Sequence, residues 1–130
     1  MRRLPLLVPA VLTIALLVGC GSSSSSSTGD LDGKKLADET GRTSVTIEAQ
    51  DNIFEAEYTE VSSGTTVTFD NTGHNRHNVI SVGDGFTSSK LLEGGDSYKV
   101  TFPDDGDFAF YCSLHGTPTS GMTGGLRVVG

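Results

Sequence analysis

Apolar and polar residues alternate from Ser44 to the C-terminus, and this period of two constrains the fold more than any other feature of the chain. The alternations are short, and Gly, Asp, Asn and Pro residues separate them. Such a pattern is typical of half-buried strands joined by turns, and no stretch shows a convincing helical period. We therefore predict an all-β domain, a Greek-key β-sandwich or barrel of seven to eight antiparallel strands.

Seven candidate strands follow from this alternation. They are residues 45–49, 58–62, 66–71, 77–82, 98–102, 107–112 and 125–129, with turns at 63–64, 93–96 and 103–106. In the sixth strand Phe108, Phe110 and Cys112 share one face, and Ala109 and Tyr111 share the other. The sulfur of Cys112 is therefore expected to point into the core.

The first nineteen residues are unlike the domain. A positively charged start precedes an apolar run from Leu6 to Val18, which is typical of a secretory signal and short for a membrane span. The run ends in Leu17-Val18-Gly19-Cys20, which resembles the bacterial lipobox, where the signal is cut before a cysteine that carries lipid. We predict that Cys20 is lipidated; the alternatives are an uncleaved anchor or a soluble exported protein.

Residues 20–42 are predicted to be the lipidated cysteine followed by a flexible tether. Residues 21–29 consist of Ser, Thr and Gly, and such a tract cannot bury a core. Residues 30–42 stay polar, and we interpret them as more tether or a frayed helical turn. The folded domain is expected at residues 43–130, about ninety residues. Lipidation would place it in the cell envelope, on the extracytoplasmic face of a bacterial membrane.

Four residues of metal-binding types stand in the C-terminal half of the chain. Cys112 and His115 are three positions apart, Met122 follows seven positions later, and His77 lies well upstream. Taken singly, a lone cysteine or methionine is more often a core residue. Taken together, two imidazoles, a thiolate and a weak axial thioether are the ligand set of a blue copper site. The sequence therefore predicts one copper ion.

Three segments in order resemble the cupredoxin family, and in particular its plastocyanin-like and halocyanin-like bacterial members. These are His77-Asn78-Val79-Ile80, Tyr111-Cys112-Ser113-Leu114-His115-Gly116 and Gly121-Met122-Thr123-Gly124. The resemblance covers about residues 45–129. It implies a cupredoxin-like sandwich that holds a single type 1 copper ion.

The resemblance also implies a role for each matching residue. His77, Cys112 and His115 would be the equatorial ligands and Met122 the axial one. Asn78 would tie the two ligand-bearing loops together through its amide. The alternative is that it is only a turn residue at the edge of a strand. Six residues separate the second histidine from the methionine, where plastocyanin-like proteins commonly have four.

A second histidine in the same segment, His74, competes with His77 as the upstream ligand. We favour His77 because Val79 and Ile80 follow it as strand residues, so that paired backbone would hold its ring. His74 lies in a bend rich in Gly and Asn. It is predicted to be a solvated loop histidine.

The expected function is the transfer of single electrons between transient protein partners, without a small-molecule substrate. The formal net charge is −7 and becomes −9 without the two signal arginines, which argues against nucleic acid and favours solubility or a basic redox partner. Copper capture or delivery without electron transfer is the alternative. An enzyme is not expected, because Cys112 and His115 have no evident orienting acid and the chain has only three histidines.

Overall fold

The computed structural model describes residues 29–130, which form two packed β-sheets. The predicted signal, the lipid attachment at Cys20 and the serine tract lie outside the described residues. Within the described range there are no helices, and so no helix that is long and apolar enough to cross a membrane. The prediction of an all-β sandwich is confirmed.

Nine strands build the two sheets. They are β1 (Ala37–Asp38), β2 (Ser44–Gln50), β3 (Ile53–Glu55), β4 (Tyr58–Ser62), β5 (Thr65–Asn71), β6 (Ile80–Ser81), β7 (Ser97–Phe102), β8 (Gly106–Thr117) and β9 (Ser120–Val129). The first sheet has the order β1-β4-β9-β8-β6 and the second the order β3-β2-β5-β7. Beyond the seven strands predicted, β1 and β3 are two and three residues long, too short to show an alternation.

The sheets are mixed, and not antiparallel as predicted. Strand β2 pairs with β5 in parallel, as does β4 with both β1 and β9. The alternation of side chains reports which face of a strand is buried and carries no information about the direction of its neighbour. Parallel pairing therefore could not be read from the pattern.

The core lies between the sheets and is centred on aromatic rings. Phe54, Phe69 and Phe110 meet edge to face, with centroids 5.0 to 6.4 Å apart. Strand β8 contributes the inward face predicted for it, because Phe108, Phe110 and Cys112 are all buried. This packing fixes β8, which continues from the core into the loop that carries the predicted ligand His115.

Residues 29–42 lie against the sandwich, which differs from the predicted tether. Leu31 is only 3 % exposed and sits over Gly125, where a Cβ atom would come within 2.7 Å of it. The backbone amide of Leu31 donates to Asp107, and Arg127 binds both Asp32 and Asp107. The buried Leu31 side chain, these polar contacts and the pairing of β1 with β4 together dock the segment.

Candidate metal centre

A wide bulge in the β8–β9 hairpin brings three predicted ligands together. The hairpin ladder is regular up to the pair Tyr111 and Thr123, and it resumes at the pair Gly116 and Gly121. Four residues of β8, Cys112 to His115, therefore oppose the single residue Met122 of β9. Cys112 and Met122 are 0 % and 1 % exposed, while His115 is partly exposed. The bulge turns a strand pair into a ligand loop.

The donor atoms of the cysteine and both histidines converge at one point. The Sγ atom of Cys112 lies 3.7 Å from Nδ1 of His77 and 3.6 Å from Nδ1 of His115. The ligand atoms of all three residues lie within 4.8 Å of one another. With metal–nitrogen and metal–sulfur bonds of about 2.0 and 2.3 Å, as for zinc, neighbouring donors would be about 3.6–3.8 Å apart. The spacing therefore fits a metal ion at the centre.

His77 is held in a buried position by its backbone. Its amide donates to the carbonyl of Leu92 at 3.1 Å, and the Leu92 amide donates back at 2.7 Å. The side chain is 0 % exposed. Burial, and after it the neighbouring His115, lowers the pKa of His77. The ring is therefore neutral at neutral pH, which is the form that binds metal.

Asn78 joins the His77 segment to the bulge. Its Oδ1 atom accepts the backbone amide of Ser113 at 2.8 Å, and its Nδ2 atom donates to the Ser113 hydroxyl at 2.9 Å. Ser113 is the residue after Cys112. The side chain of Asn78 thus fixes the distance between the segment that carries one histidine and the loop that carries the thiol.

Two glycines allow the hairpin to close tightly above the bulge. A Cβ atom at Gly116 would lie 2.6 Å from the backbone nitrogen of Met122, and one at Gly121 would lie 2.6 Å from the carbonyl oxygen of His115. Gly121 also has a φ angle of 79°, which favours glycine. Both positions therefore need glycine for the strands to approach. The turn between the strands is Pro118-Thr119.

The structure separates the two upstream histidines. The His74 side chain is 96 % exposed, and its ring lies 3.4 Å from the carboxylate of Asp51 at the surface. It is therefore a solvated loop histidine, as predicted. The expected strand over residues 77–82 is wrong in length, because only Ile80 and Ser81 pair with β8. His77 instead forms an isolated bridge with Leu92, so its backbone is paired but outside the sheet.

Sequence reasoning missed Asn71, a buried polar residue close to this centre. It is 0 % exposed and ends β5, where positions 65, 67, 69 and 71 all face inward. An asparagine in the inward register of an alternating strand was the available signal, because a buried amide must find hydrogen-bond partners.

The metal-binding geometry agrees with a family assignment. Residues 41–129 match the profile of copper binding proteins of the plastocyanin/azurin family. The chain belongs to the cupredoxin family. The matched profile is that of copper binding proteins, so copper is the metal that fits the converging donors. No curated protein matches the chain.

Solved structures of cupredoxins have the same fold. A purple cupredoxin from Nitrosopumilus maritimus is 26 % identical, with a TM-score of 0.56 over 65 % of this chain and 98 % of its own. An amicyanin variant in the reduced state is 25 % identical, with a TM-score of 0.57 over 65 % of this chain and 81 % of its own.

An enzyme also contains a similar domain. A copper-containing nitrite reductase from Thermus scotoductus is 26 % identical, with a TM-score of 0.56 over 66 % of this chain. This chain spans only 22 % of that enzyme. The similarity therefore concerns one domain of the reductase and does not extend to the whole enzyme.

Proposed function

We propose that this cupredoxin is a type 1 blue copper protein that carries single electrons, with His77, Cys112, His115 and Met122 as its copper ligands. The observation that carries the proposal is the convergence of one sulfur and two imidazole nitrogens, 3.6 and 3.7 Å apart, opposite a buried methionine. Copper, when bound, supplies a one-electron couple, and this donor set suits both of its oxidation states.

The frame around these donors is rigid, which supports electron transfer over catalysis. Cys112, His77 and Met122 are at most 1 % exposed, and hydrogen bonds from Asn78 and Leu92 fix the two segments that carry them. A site held by its surroundings needs little rearrangement when an electron arrives or leaves. Fast exchange with a partner depends on that.

His115 is the proposed exit for the electron. Among the four proposed ligands it alone is partly exposed, and its neighbour Leu114 is 46 % exposed. The other exposed large apolar side chains of the described region are Ile53 and Leu91. Ile53 lines a crevice with Met122, and Leu91 precedes the residue that pairs with His77. A small apolar surface of this kind suits a transient redox partner.

The acidic turn between β7 and β8 lies away from this exit. Asp104 and Asp105 belong to that turn, and Asp107 precedes Cys112 by five residues on β8, or about 17 Å. Asp107 is also bound to Arg127. Attraction of a basic partner is therefore proposed to come from the net charge of the whole domain, with no dedicated acidic patch beside His115.

Attachment to the membrane through lipidated Cys20 is part of the proposal. It is supported by the signal-like start of the chain and by the residues around the cysteine. Growth of the producing cells with a labelled fatty acid should label the exported protein, and Cys20→Ala should not be labelled. Equal labelling of the two proteins, or no label in either, would contradict a lipid anchor at this residue.

The decisive experiment is to add Cu(II) to the purified protein and record its visible and electron paramagnetic resonance spectra. We expect an intense thiolate-to-copper band and a narrow copper hyperfine splitting, because Cys112 would bind as a thiolate. Cys112→Ser should abolish the band. The chain offers a matched control, because Cys20→Ser changes its other cysteine and should leave the band unchanged.

A different spectrum would point to a different function. A pale complex without the thiolate band would contradict electron transfer at a type 1 site. It would indicate a protein that captures or delivers copper. If the unmodified protein and Cys112→Ser give the same pale complex, the sulfur does not bind the metal.

A further inference from the structure

The side chain of Asn71 is the only asparagine side chain among the described residues that lies fully in the core. Asn71 ends β5 at the same end of the sandwich as the proposed copper ligands, and it is 0 % exposed. A buried amide costs stability unless its donors and its acceptor are satisfied. Where its hydrogen bonds go therefore shows what the residue does.

All three hydrogen bonds of this amide go to loops around His77. Its Nδ2 atom donates to the carbonyl of Asn75 at 2.9 Å and to the carbonyl of Leu92 at 3.0 Å. Its Oδ1 atom accepts the backbone amide of Gly73 at 3.1 Å. One side chain thus holds the segment that leads into His77 and the residue that pairs with it.

The carbonyl of Leu92 is shared between Asn71 and His77. It accepts the Asn71 side chain at 3.0 Å and the His77 backbone amide at 3.1 Å. The same residue donates its own amide to the His77 carbonyl at 2.7 Å. Movement of Leu92 would therefore move the His77 backbone, and Asn71 prevents that movement from the core side.

The backbone of Asn71 adds to this arrangement. Its amide donates to Asp96 at 2.9 Å, and its carbonyl accepts from Gly95 at 2.8 Å. The turn that contains both residues follows Leu92. Strand β5, which is part of the rigid second sheet, is thereby tied to both sides of the bridge between His77 and Leu92.

We propose that Asn71 is a positioning residue that sets the place of the His77 ring relative to the Cys112 sulfur. The inference rests on the proposed copper site and names a residue that acts on it without touching the metal. Asn78 ties His77 to the thiol loop, whereas Asn71 ties it to the opposite sheet. His77 is held from both sides because its Nδ1 atom must meet a sulfur that belongs to another strand.

The test compares Asn71→Ala with a matched control on the same strand. Thr65 is the first residue of β5, is 1 % exposed, and donates its hydroxyl to the carbonyl of Arg42 at 2.8 Å. It lies at the far end of the strand, about 20 Å from Asn71. Thr65→Val should destabilise the fold without reaching the metal centre.

We expect Asn71→Ala to weaken copper binding about 10–100-fold, as removal of an outer partner of a metal ligand usually does. Its electron paramagnetic resonance spectrum should also depart from that of the unmodified protein. Thr65→Val should keep the affinity and the spectrum. Unchanged affinity and spectrum in Asn71→Ala, or equal changes in both variants, would overturn the proposal.

A second measurement does not depend on copper. In the metal-free protein, the amides of His77 and Leu92 should exchange hydrogen at least about tenfold faster in Asn71→Ala than in Thr65→Val, because local opening becomes easier. Equal protection in the two variants would count against positioning by Asn71. If the alanine variant does not fold, Asn71→Leu serves instead, since it keeps nearly the same volume in the core and loses both donated bonds.

The two experiments separate this inference from the proposed function. A purified protein that never shows the thiolate band contradicts the copper carrier, whatever Asn71 does. A protein that shows the band, together with an Asn71 variant that keeps it unshifted and keeps both amides protected, contradicts the positioning role alone.

Discussion

The two segments that carry the histidines are built in opposite ways. Residues 72–78 are held from outside, by the core amide of Asn71 and by the carboxylate of Asp51, and their proposed ligand His77 is fully buried. Residues 112–122 are held by their own hairpin, which closes through two glycines, and their histidine reaches the surface. The proposed ligand histidine is thus buried in one segment and partly exposed in the other.

This difference shows how one site can be both rigid and accessible. The buried segment needs polar contacts from other elements, because a loop outside the sheets leaves its backbone groups without ladder partners. The hairpin is held by its own pairing on either side of the bulge, and the Asn78 side chain adds two hydrogen bonds to Ser113 within it. Each of the following changes tests one side of this comparison.

The largest effect is expected when each histidine is replaced by glycine. Both His77→Gly and His115→Gly should lose the blue band, because each removes one proposed copper ligand. Added imidazole should restore the band in His115→Gly only, since this ring lies at the surface while the other is 0 % exposed. Titration with imidazole under visible absorption measures the difference.

The outcome of this titration can contradict the comparison in either direction. Rescue of both variants would mean that the His77 position opens to solvent. Rescue of His77→Gly alone would mean that the His77 position, and not the His115 position, is open to solvent. His74→Gly is the control, because that side chain is 96 % exposed and is not a proposed ligand. The variant should keep its band without imidazole.

A smaller effect is expected from crowding the hairpin. Gly116→Ala places a methyl group 2.6 Å from the backbone nitrogen of Met122, so the strands must part or the bulge must shift. Such overpacking costs about 1–3 kcal/mol of unfolding free energy. Chemical denaturation of the metal-free protein gives the change, and the copper spectrum should shift with it. The exposed turn residue Thr119, changed to alanine, is the control and should alter neither quantity.

The ligand types and the inward face of β8 could be predicted because they depend on residue identity and on alternation alone. Cys112 falls in the same register as Phe108 and Phe110, and the structure buries all three. The exposed position of His74 followed from its Gly-rich surroundings in the same way. These are local properties, and the printed sequence contains them.

The bulge, the bridge and the docked N-terminal segment could not be predicted because they depend on distant residues. His77 pairs with Leu92, fifteen positions later, and not with a strand neighbour. Leu31 is buried because Gly125, on the last strand, leaves room for it. Parallel pairing of β2 with β5 likewise depends on the path that the chain takes between the two strands. No pattern within one segment records such partners.

Met122→Gln tests whether the hairpin controls the potential as well as the geometry. The variant should keep its blue colour and have a lower reduction potential, because a harder oxygen ligand stabilises Cu(II) more than a thioether does. A fall of more than about 59 mV would mean at least a tenfold change in the one-electron equilibrium. Protein-film voltammetry measures it. An unchanged spectrum and potential would show that Met122 is not the axial ligand.

The smallest effect concerns the carboxylate of Asp51, which holds residues 72–78 from the surface side. Asp51 accepts the backbone amides of His74 at 2.7 Å and Asn75 at 3.1 Å. The amide of Asn75, and after it that of His74, lowers the pKa of Asp51 below its ordinary value of 3.8. The ionised carboxylate therefore stabilises the fold above pH 3.8, and this contribution is lost as the pH falls through the lowered pKa.

Asp51→Asn makes this contribution measurable. The unmodified metal-free protein should be slightly more stable than the variant at pH 6, and the two unfolding free energies should approach each other as the pH falls below about 3.8, because the variant has no charge to lose there. Denaturation at a series of pH values gives both curves. A gap of constant size would mean that the ionised carboxylate does not hold residues 72–78, and that their anchoring comes from the core side through Asn71.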